Sequence, residues 1–268
     1  RNPGLDLQAA TMFAAASRAL AGYNDDLSRR ALAQSKRLMK EGTELLAKNP
    51  AAARRGGRGG FGNMSTNLQL YVCTGEQHYL DDFQAQIWPA LDRGPEFSMQ
   101  PALDAIPYLD EAYKERLRPY VVQYKHYLDS LDQVNPYGVP IGEGNWAGSG
   151  SVVSFGTTAC FASKYFPDIV SPEYALKAAG YMFGCHPYHN YSLVAAVGAT
   201  RPKEVFYGNN RADFSFIPGN VAPGVLFRHP DHFENYDDWP FLWGQNEGTI
   251  AGNTAYLIFG AALQNLVK

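Results

Sequence analysis

The sequence predicts an all-α protein built from helix hairpins, and three observations carry that prediction. Apolar residues recur at helical spacing through most of the chain, and strands do not alternate with helices as they do in α/β proteins. Turn residues separate the helix pairs at intervals of roughly 40–50 residues, without a repeated sequence, which is typical of an α/α toroid or solenoid. The 268 residues, 46% of them apolar, suffice for one large domain or two small ones.

The first half of the chain is predicted to be almost entirely helical. In the first one, the apolar spacing predicts a buried face made of Leu5, Ala9, Met12, Phe13, Ala16 and Leu20. The basic glycine tract 54–60 could contact RNA phosphates, but its shortness favours a loop between two helices. Gly75 follows Thr74 and can end a helix in the left-handed conformation. The predicted helices span about 5–21, 26–48, 63–73, 77–91, 98–106 and 109–130.

The second half contains fewer helices and two long loops. Helices are predicted over about 150–165, 172–183 and 247–266. The loops cover residues 135–150, which are dense in Gly and Pro, and about 184–245. Long segments without regular structure inside a domain are usually functional, so we expect a site in these loops.

Composition excludes several classes of function. The net charge of −3 gives no basic field for nucleic acid or an anionic membrane, and no apolar run is long enough to span a bilayer. Cys73, Cys160 and Cys185 are far apart and lack CxxC spacing, so we expect buried free thiols rather than disulfides or a zinc site.

One carboxylate near the end of the chain lies in an unusual setting. Glu247 follows Trp239, Phe241 and Trp243 and directly precedes the apolar segment that forms the last predicted helix. Aromatic neighbours desolvate a carboxyl group and raise its pKa, so Glu247 is a candidate general acid. Alternatively, it is an acid at a helix N-terminus that only interacts favourably with the helix dipole.

Several segments, in order along the chain, resemble glycoside hydrolase family 9, the cellulase-type catalytic module. The resemblance covers nearly the whole chain. Its motifs are 68–80; Asn135-Pro-Tyr-Gly-Val-Pro140 with Trp146-Ala-Gly-Ser149; Tyr181-Met-Phe-Gly-Cys-His-Pro187 with 192–198; Pro218-Gly219 with Pro223-Gly224; Tyr236-Asp-Asp238; and Asn246-Glu247 with Asn253 and Ala255.

This resemblance implies a fold and a reaction. The fold would be an (α/α)6 barrel that apparently lacks its first helices, with residues 1–268 forming one domain as the C-terminal part of the module. The reaction would be hydrolysis of β-glycosidic bonds with inversion, with a carbohydrate as substrate and Glu247 as general acid. The family's base lies in an Asp-Ala-Gly-Asp-like motif that is absent here, so the base and the missing N-terminal part of the barrel are expected outside this chain.

The resemblance also assigns substrate-binding residues. Arg211 and Asn210 lie where the family has a His-x-Arg that holds sugar hydroxyls, and only the arginine matches in type. Trp146 matches a tryptophan of the sugar cleft, and His186 replaces the family's usual Asn before proline. Tyr207 and Trp243 are further candidates for stacking on sugar rings, with core packing as the alternative for each aromatic residue. Arg211 could instead pair with Asp213 or Asp237.

Two other functions remain open at this point. A carbohydrate-binding relative that has lost catalysis would explain the missing base, and a polysaccharide lyase on the same toroid could use Tyr207 and His186. Calcium is possible by resemblance, but no ligand loop identifies a site, and no cofactor is assigned. The H-x-x-H pairs 186–189 and 229–232 each contain a proline and lack helical ligand spacing, which disfavours zinc. The resemblance implies a secreted or periplasmic protein.

Overall fold

The structure is a computed structural model and shows two compact units, residues 1–115 and 116–268. It describes residues 2–48, 59–141, 148–185, 191–198, 201–202, 217–222, 227–228, 233–234 and 248–268. The boundary between the units falls inside one helix. Within the described residues, none of the helices combines the length and the hydropathy needed to cross a membrane.

The first unit consists of helices, as the sequence predicts. A short 3-10 turn, Ile106–Tyr108, connects its fifth helix to the helix that continues into the second unit. These helices are α1 (Pro3–Leu20), α2 (Asp25–Lys48), α3 (Gly59–Thr74), α4 (Gln77–Arg93), α5 (Pro95–Ala105) and α6 (Glu111–Val134). The predicted stop after α3 is confirmed, because Gly75 has a φ of +70° and its N–H bonds to the carbonyl of Tyr71 at 2.8 Å.

The buried face of α1 is not the one that the apolar spacing predicts. Leu5 and Met12 are each 62% exposed, and Phe13 is also exposed, whereas Leu7, Ala10 and Ala14 are fully buried. Small residues on the buried face allow α2 and α3 to approach closely, and both helices pack on α1. The prediction was wrong because it weighted large apolar side chains over the small ones that make close helix packing possible.

Polar side chains from α2 and α3 reinforce this packing by bonding to main-chain carbonyls of α1. Ser35 Oγ donates to the Ala10 carbonyl at 2.7 Å, and Thr66 Oγ1 donates to the Leu7 carbonyl at 3.0 Å. Both side chains are fully buried, so these bonds satisfy groups that would otherwise be costly to bury.

The second unit has three more helices and short strands in the predicted loop region. The helices are α7 (Ser149–Tyr165), α8 (Glu173–Met182) and α9 (Ile250–Leu266), and the strands are β1 (Tyr191–Ser192), β2 (Arg201–Pro202), β3 (Phe227–Arg228) and β4 (Phe233–Glu234). β1 pairs parallel with β2, and β3 pairs antiparallel with β4. Every helix predicted from the sequence is present, which confirms the all-α class.

The last helix begins later than predicted. Thr249 is its N-cap, since Thr249 Oγ1 accepts a hydrogen bond from the Gly252 N–H at 3.0 Å, and α9 starts at Ile250 instead of at 247. Glu247 therefore precedes the N-cap by two positions in the sequence.

Candidate active site

The side chains that the sequence assigns to the site all lie outside the described residues. They are Glu247, Arg211, Trp146, Tyr207, Trp243, Asn210 and His186. The structure instead describes the segments that adjoin several of them: 135–141 before Trp146, 181–185 before His186, and 248–253 after Glu247. These adjoining segments give the framework from which the predicted site has to be built.

A tight turn precedes the loop that carries Trp146. Asn135 is 4% exposed; its Nδ2 donates to the Val139 carbonyl at 2.8 Å, and its Oδ1 accepts from the Tyr137 N–H at 3.0 Å. Gly138 adopts a φ of +62°, which glycine tolerates and most other residues do not. The turn is thus fixed from inside by one asparagine, in the manner typical of Asx turns.

The same turn borders a cavity of about 450 Å³ beside α8. Tyr137 packs edge-on against Tyr181, with ring centroids 5.3 Å apart. Lys177 Nζ lies 2.6 and 2.7 Å from the two carboxylate oxygens of Asp132. Cys185 also lines the cavity, so the residue before His186 and the turn before Trp146 border one concave surface.

Hydrogen bonds connect the end of α8 to the segment 217–222 through residues 192–195. The Leu193 N–H bonds to the Met182 carbonyl at 2.9 Å, and the Ala222 N–H bonds to the Leu193 carbonyl at 2.8 Å. The Ser192 side chain is fully buried and accepts a hydrogen bond from the Val194 N–H at 3.1 Å. Besides the pairing of β1 with β2, the backbone here is held by hydrogen bonds between segments distant in sequence.

The segment 217–222 is in turn bonded to the beginning of α9. Asn253 Oδ1 accepts from the Val221 N–H at 2.9 Å, and Asn253 Nδ2 donates to Asn220 Oδ1 at 2.7 Å. A cavity of about 410 Å³ lies between the two segments, lined among others by Ile217, Thr249 and Tyr256. The backbone that follows Glu247 is therefore attached to a loop distant in sequence.

The three cysteines are free and differ in their surroundings. Cys160 is buried, and burial raises the pKa of its thiol to about 11. Cys73 is partly buried, and desolvation raises the pKa of its thiol, an effect that Arg18 partly opposes. Cys185 is exposed, so the prediction of a buried thiol is wrong at this position, because the end of α8 leaves it at the rim of a cavity.

The described part of the chain offers no cluster of metal ligands. Within it, no group of three or more His, Cys, Asp or Glu side chains is arranged to hold a metal ion. The H-x-x-H pairs 186–189 and 229–232 lie outside that part.

A comparison with protein families decides the classification. The model of glycosyl hydrolase family 9 matches residues 2–259. The chain belongs to glycosyl hydrolase family 9. No match was found among curated protein sequences.

Solved structures of this family have the same fold. A metagenome-derived family 9 endoglucanase superposes with a TM-score of 0.70 at 23% identity, covering 96% of this chain and 51% of its own. The endoglucanase from the termite Nasutitermes takasagoensis gives 0.71 at 16% identity, covering 100% and 66%. AaCel9A in complex with cellobiose-like isofagomine gives 0.71 at 15% identity, covering 98% and 55%.

These likenesses confirm the (α/α)6 barrel class predicted from the motifs. They also show that the chain spans about half to two thirds of the length of these family 9 structures.

The contact between Asn220 and Asn253 could not be predicted from the sequence. Asn253 appears there only as part of a motif, and nothing local indicates that its side chain meets that of Asn220.

Proposed function

We propose that the protein is an inverting glycoside hydrolase that cleaves β-glycosidic bonds, with Glu247 as its general acid. The observation that carries the proposal is the family match over residues 2–259, which includes the Asn246-Glu247 motif. Directly after Glu247 in the sequence, hydrogen bonds from Asn253 connect the first turn of α9 to the segment 217–222, which supports the proposal.

Inversion needs two carboxyl groups on opposite faces of the sugar. The acid protonates the leaving oxygen while a carboxylate base activates water, and the two groups lie about 6.5–9.5 Å apart so that the water fits between them. Glu247 is proposed as the acid. The base is expected outside this chain, since the family's Asp motif is absent from its sequence.

The substrate is proposed to be a β-linked polysaccharide or oligosaccharide. Two of the similar solved structures are endoglucanases, and AaCel9A is in complex with cellobiose-like isofagomine. Aromatic and hydrogen-bonding contacts to the sugar would come from Trp146, Trp243, Tyr207, Arg211, Asn210 and His186. The family relationship favours secretion or export to the periplasm.

The proposed partner of this chain is the N-terminal part of the same barrel, with residues 1–268 forming the C-terminal part of one catalytic domain. Apolar residues on the outer faces of α1 and α9 support this. Leu5 and Met12 are each 62% exposed, while Ile250 and Leu257 are 86% and 69% exposed. Large apolar residues exposed on one helix are typical of surfaces that another segment covers.

The test is the Glu247→Gln substitution in the full-length protein, assayed by release of reducing ends from β-glucan. Removal of a general acid is expected to lower the rate by about 10²–10⁴-fold. The loss should be smaller on aryl glycosides with good leaving groups, which need less protonation. Turnover within a few-fold of wild type on the polysaccharide would overturn the assignment of Glu247.

A further inference from the structure

Two asparagines from distant parts of the sequence meet at the first turn of α9. Asn253 lies in that turn, and Asn220 lies in the segment 217–222. The Asn253 side chain donates a hydrogen bond from Nδ2 to Asn220 Oδ1 and accepts one at Oδ1 from the Val221 N–H. One side chain therefore bonds to both the side chain and the backbone of the facing segment. We call this pair, Asn220 and Asn253, the asparagine clasp.

Asn220 has a second contact, with the residue that follows Glu247. A Cβ atom at Gly248 would lie 2.4 Å from both Nδ2 and Oδ1 of Asn220, which no real Cβ contact permits. Only glycine fits there while the Asn220 side chain keeps its place. Asn220 thus contacts the chain on both sides of the N-cap, at Gly248 and at Asn253.

The Asn220 side chain has little freedom to move away. It is 8% exposed, and its backbone is bonded on both sides: its N–H to the Ile217 carbonyl at 3.1 Å, and its carbonyl to the Ala195 N–H at 2.9 Å. Moving its backbone would break these bonds, and rotating its side chain would break the hydrogen bond that Asn253 Nδ2 donates to it. Asn220 is therefore a fixed support against which the start of α9 rests.

Capping of α9 does not account for the clasp. Thr249 already caps the helix through its bond from Gly252, whereas the Asn253 side chain bonds outward to another segment. A residue needed only to start the helix would not reach from α9 to Val221 and Asn220. The arrangement fixes the direction in which the backbone enters the helix.

We infer that Asn220 and Asn253 are positioning residues for catalysis, because they fix the backbone at Gly248 and so the point from which Glu247 projects. This inference rests on the proposed function of Glu247. A general acid must come within about 2.6–3.2 Å of the leaving oxygen, and a misplacement of about 1 Å can lower a rate about 10²-fold. In this role the clasp acts through Glu247.

The test compares Asn253→Ala with Asn265→Ala in the full-length protein. Asn265 lies on the same helix, about three turns further along, and is exposed. Each variant is assayed for kcat and KM on two aryl β-glycosides of the same sugar, one with a good and one with a poor leaving group. Glu247→Gln is measured in parallel on both.

A misplaced acid gives a specific pattern. Asn253→Ala should lower kcat about 10–100-fold on the poor leaving group and less than about 3-fold on the good one, with KM little changed. Asn265→Ala should leave both values within about 2-fold. The alkaline limb of the kcat profile, which reports the acid, should also shift in Asn253→Ala.

Two variants at Asn220 separate positioning from stability. Asn220→Asp keeps an acceptor for Asn253 Nδ2 and should recover most of the leaving-group behaviour, whereas Asn220→Ala should resemble Asn253→Ala. These variants also serve if Asn253→Ala fails to fold. Thermal denaturation is followed throughout, since a merely structural role would lower the melting temperature and affect both substrates equally.

Equal losses on both leaving groups in Asn253→Ala and Asn220→Ala would overturn the inference, as would unchanged kinetics in both. Failure of the proposed function has a different signature. In that case Glu247→Gln keeps its activity on the poor leaving group, whatever the asparagine variants do.

Discussion

The ring of Phe259 fills the space that Gly156 leaves open between α7 and α9. A Cβ atom at position 156 would lie 2.5 Å from Cε2 of that ring and 2.9 Å from the Ala178 Cβ in α8. Phe259 is 1% exposed and is the buried residue of α9. The contact of Phe259 with Gly156 therefore brings the last helix close to the backbone of α7.

Gly156→Ala is expected to destabilise the protein despite alanine's higher helix propensity. Overpacking of this kind costs about 1–3 kcal/mol, against about 0.5–1 kcal/mol that a helical Gly→Ala change contributes. Gly150 is the matched control, because it lies in the same helix and a Cβ added there would have nothing within 4 Å. Urea denaturation should show Gly150→Ala at or above wild type and Gly156→Ala below it; equal stability of the two would contradict the packing.

Gly138→Ala is expected to destabilise the turn before Trp146 for two reasons. Its φ of +62° strains any residue with a Cβ, and that Cβ would lie 2.2 Å from Asp132 Oδ1. Gly219→Ala carries only the first penalty, because Gly219 has a φ of +82° and open space around it. We expect a loss of about 1 kcal/mol for Gly219→Ala and of about 2–3 kcal/mol for Gly138→Ala, measured by thermal denaturation.

The cysteines should differ in reactivity with a soluble alkylating reagent. Cys185 is exposed and should be modified rapidly in the native protein, whereas buried Cys160 should react only on unfolding. The thiol of Cys160, with its pKa raised to about 11, remains protonated at pH 9, so raising the pH from 7 to 9 should not make it reactive.

The same shift has a consequence for stability. A thiol whose pKa is higher when folded favours the folded state below its ordinary pKa of 9.0, and this contribution is lost as the pH rises from there towards 11.

For the labelling experiment, mass spectrometry after timed alkylation identifies the modified cysteine. Rapid native modification of Cys160 at pH 9 would contradict its burial.

The exposed apolar face of α9 makes the proposed N-terminal partner testable. Leu257 is 69% exposed, so Leu257→Lys should change stability by less than about 0.5 kcal/mol if this face meets water. If the N-terminal part of the barrel covers this face, Leu257→Lys should lower the free energy of unfolding of the full-length protein by more than about 2 kcal/mol. The substitution would then remove a large buried side chain and place a charge in its position. Val134→Lys, at a 57% exposed position on α6, is the control. Comparable effects in the two variants would count against a covered α9 face.

Helix positions could be predicted from this sequence because apolar periodicity and glycine stops are local signals. The face that each helix buries is less local. In α1, the choice between Leu5 and Leu7 depends on what α2 and α3 present, namely small residues and the hydroxyls of Ser35 and Thr66. No pattern within α1 contains that information.

Only those residues of the candidate site that belong to family motifs could be predicted from the sequence. The ordered motifs, of which Asn246-Glu247 is one, identify a family that the family match confirms, while the role of Glu247 as the acid stays a prediction. The contact between Asn220 and Asn253 joins residues 33 positions apart and depends on how the segment 217–222 lies against the first turn of α9. Such a contact follows from the tertiary structure and has no signature in the sequence of either segment.

The protein is proposed to hydrolyse a β-glycosidic bond with inversion, with Glu247 as the acid. The most direct measurement is ¹H NMR of the sugar released in the first minutes of hydrolysis of a β-linked oligosaccharide, before mutarotation equilibrates the anomers. We expect the α-anomer to form first in wild type and Glu247→Gln to release almost none. Initial formation of the β-anomer, or an unsaturated product absorbing in the ultraviolet, would contradict it.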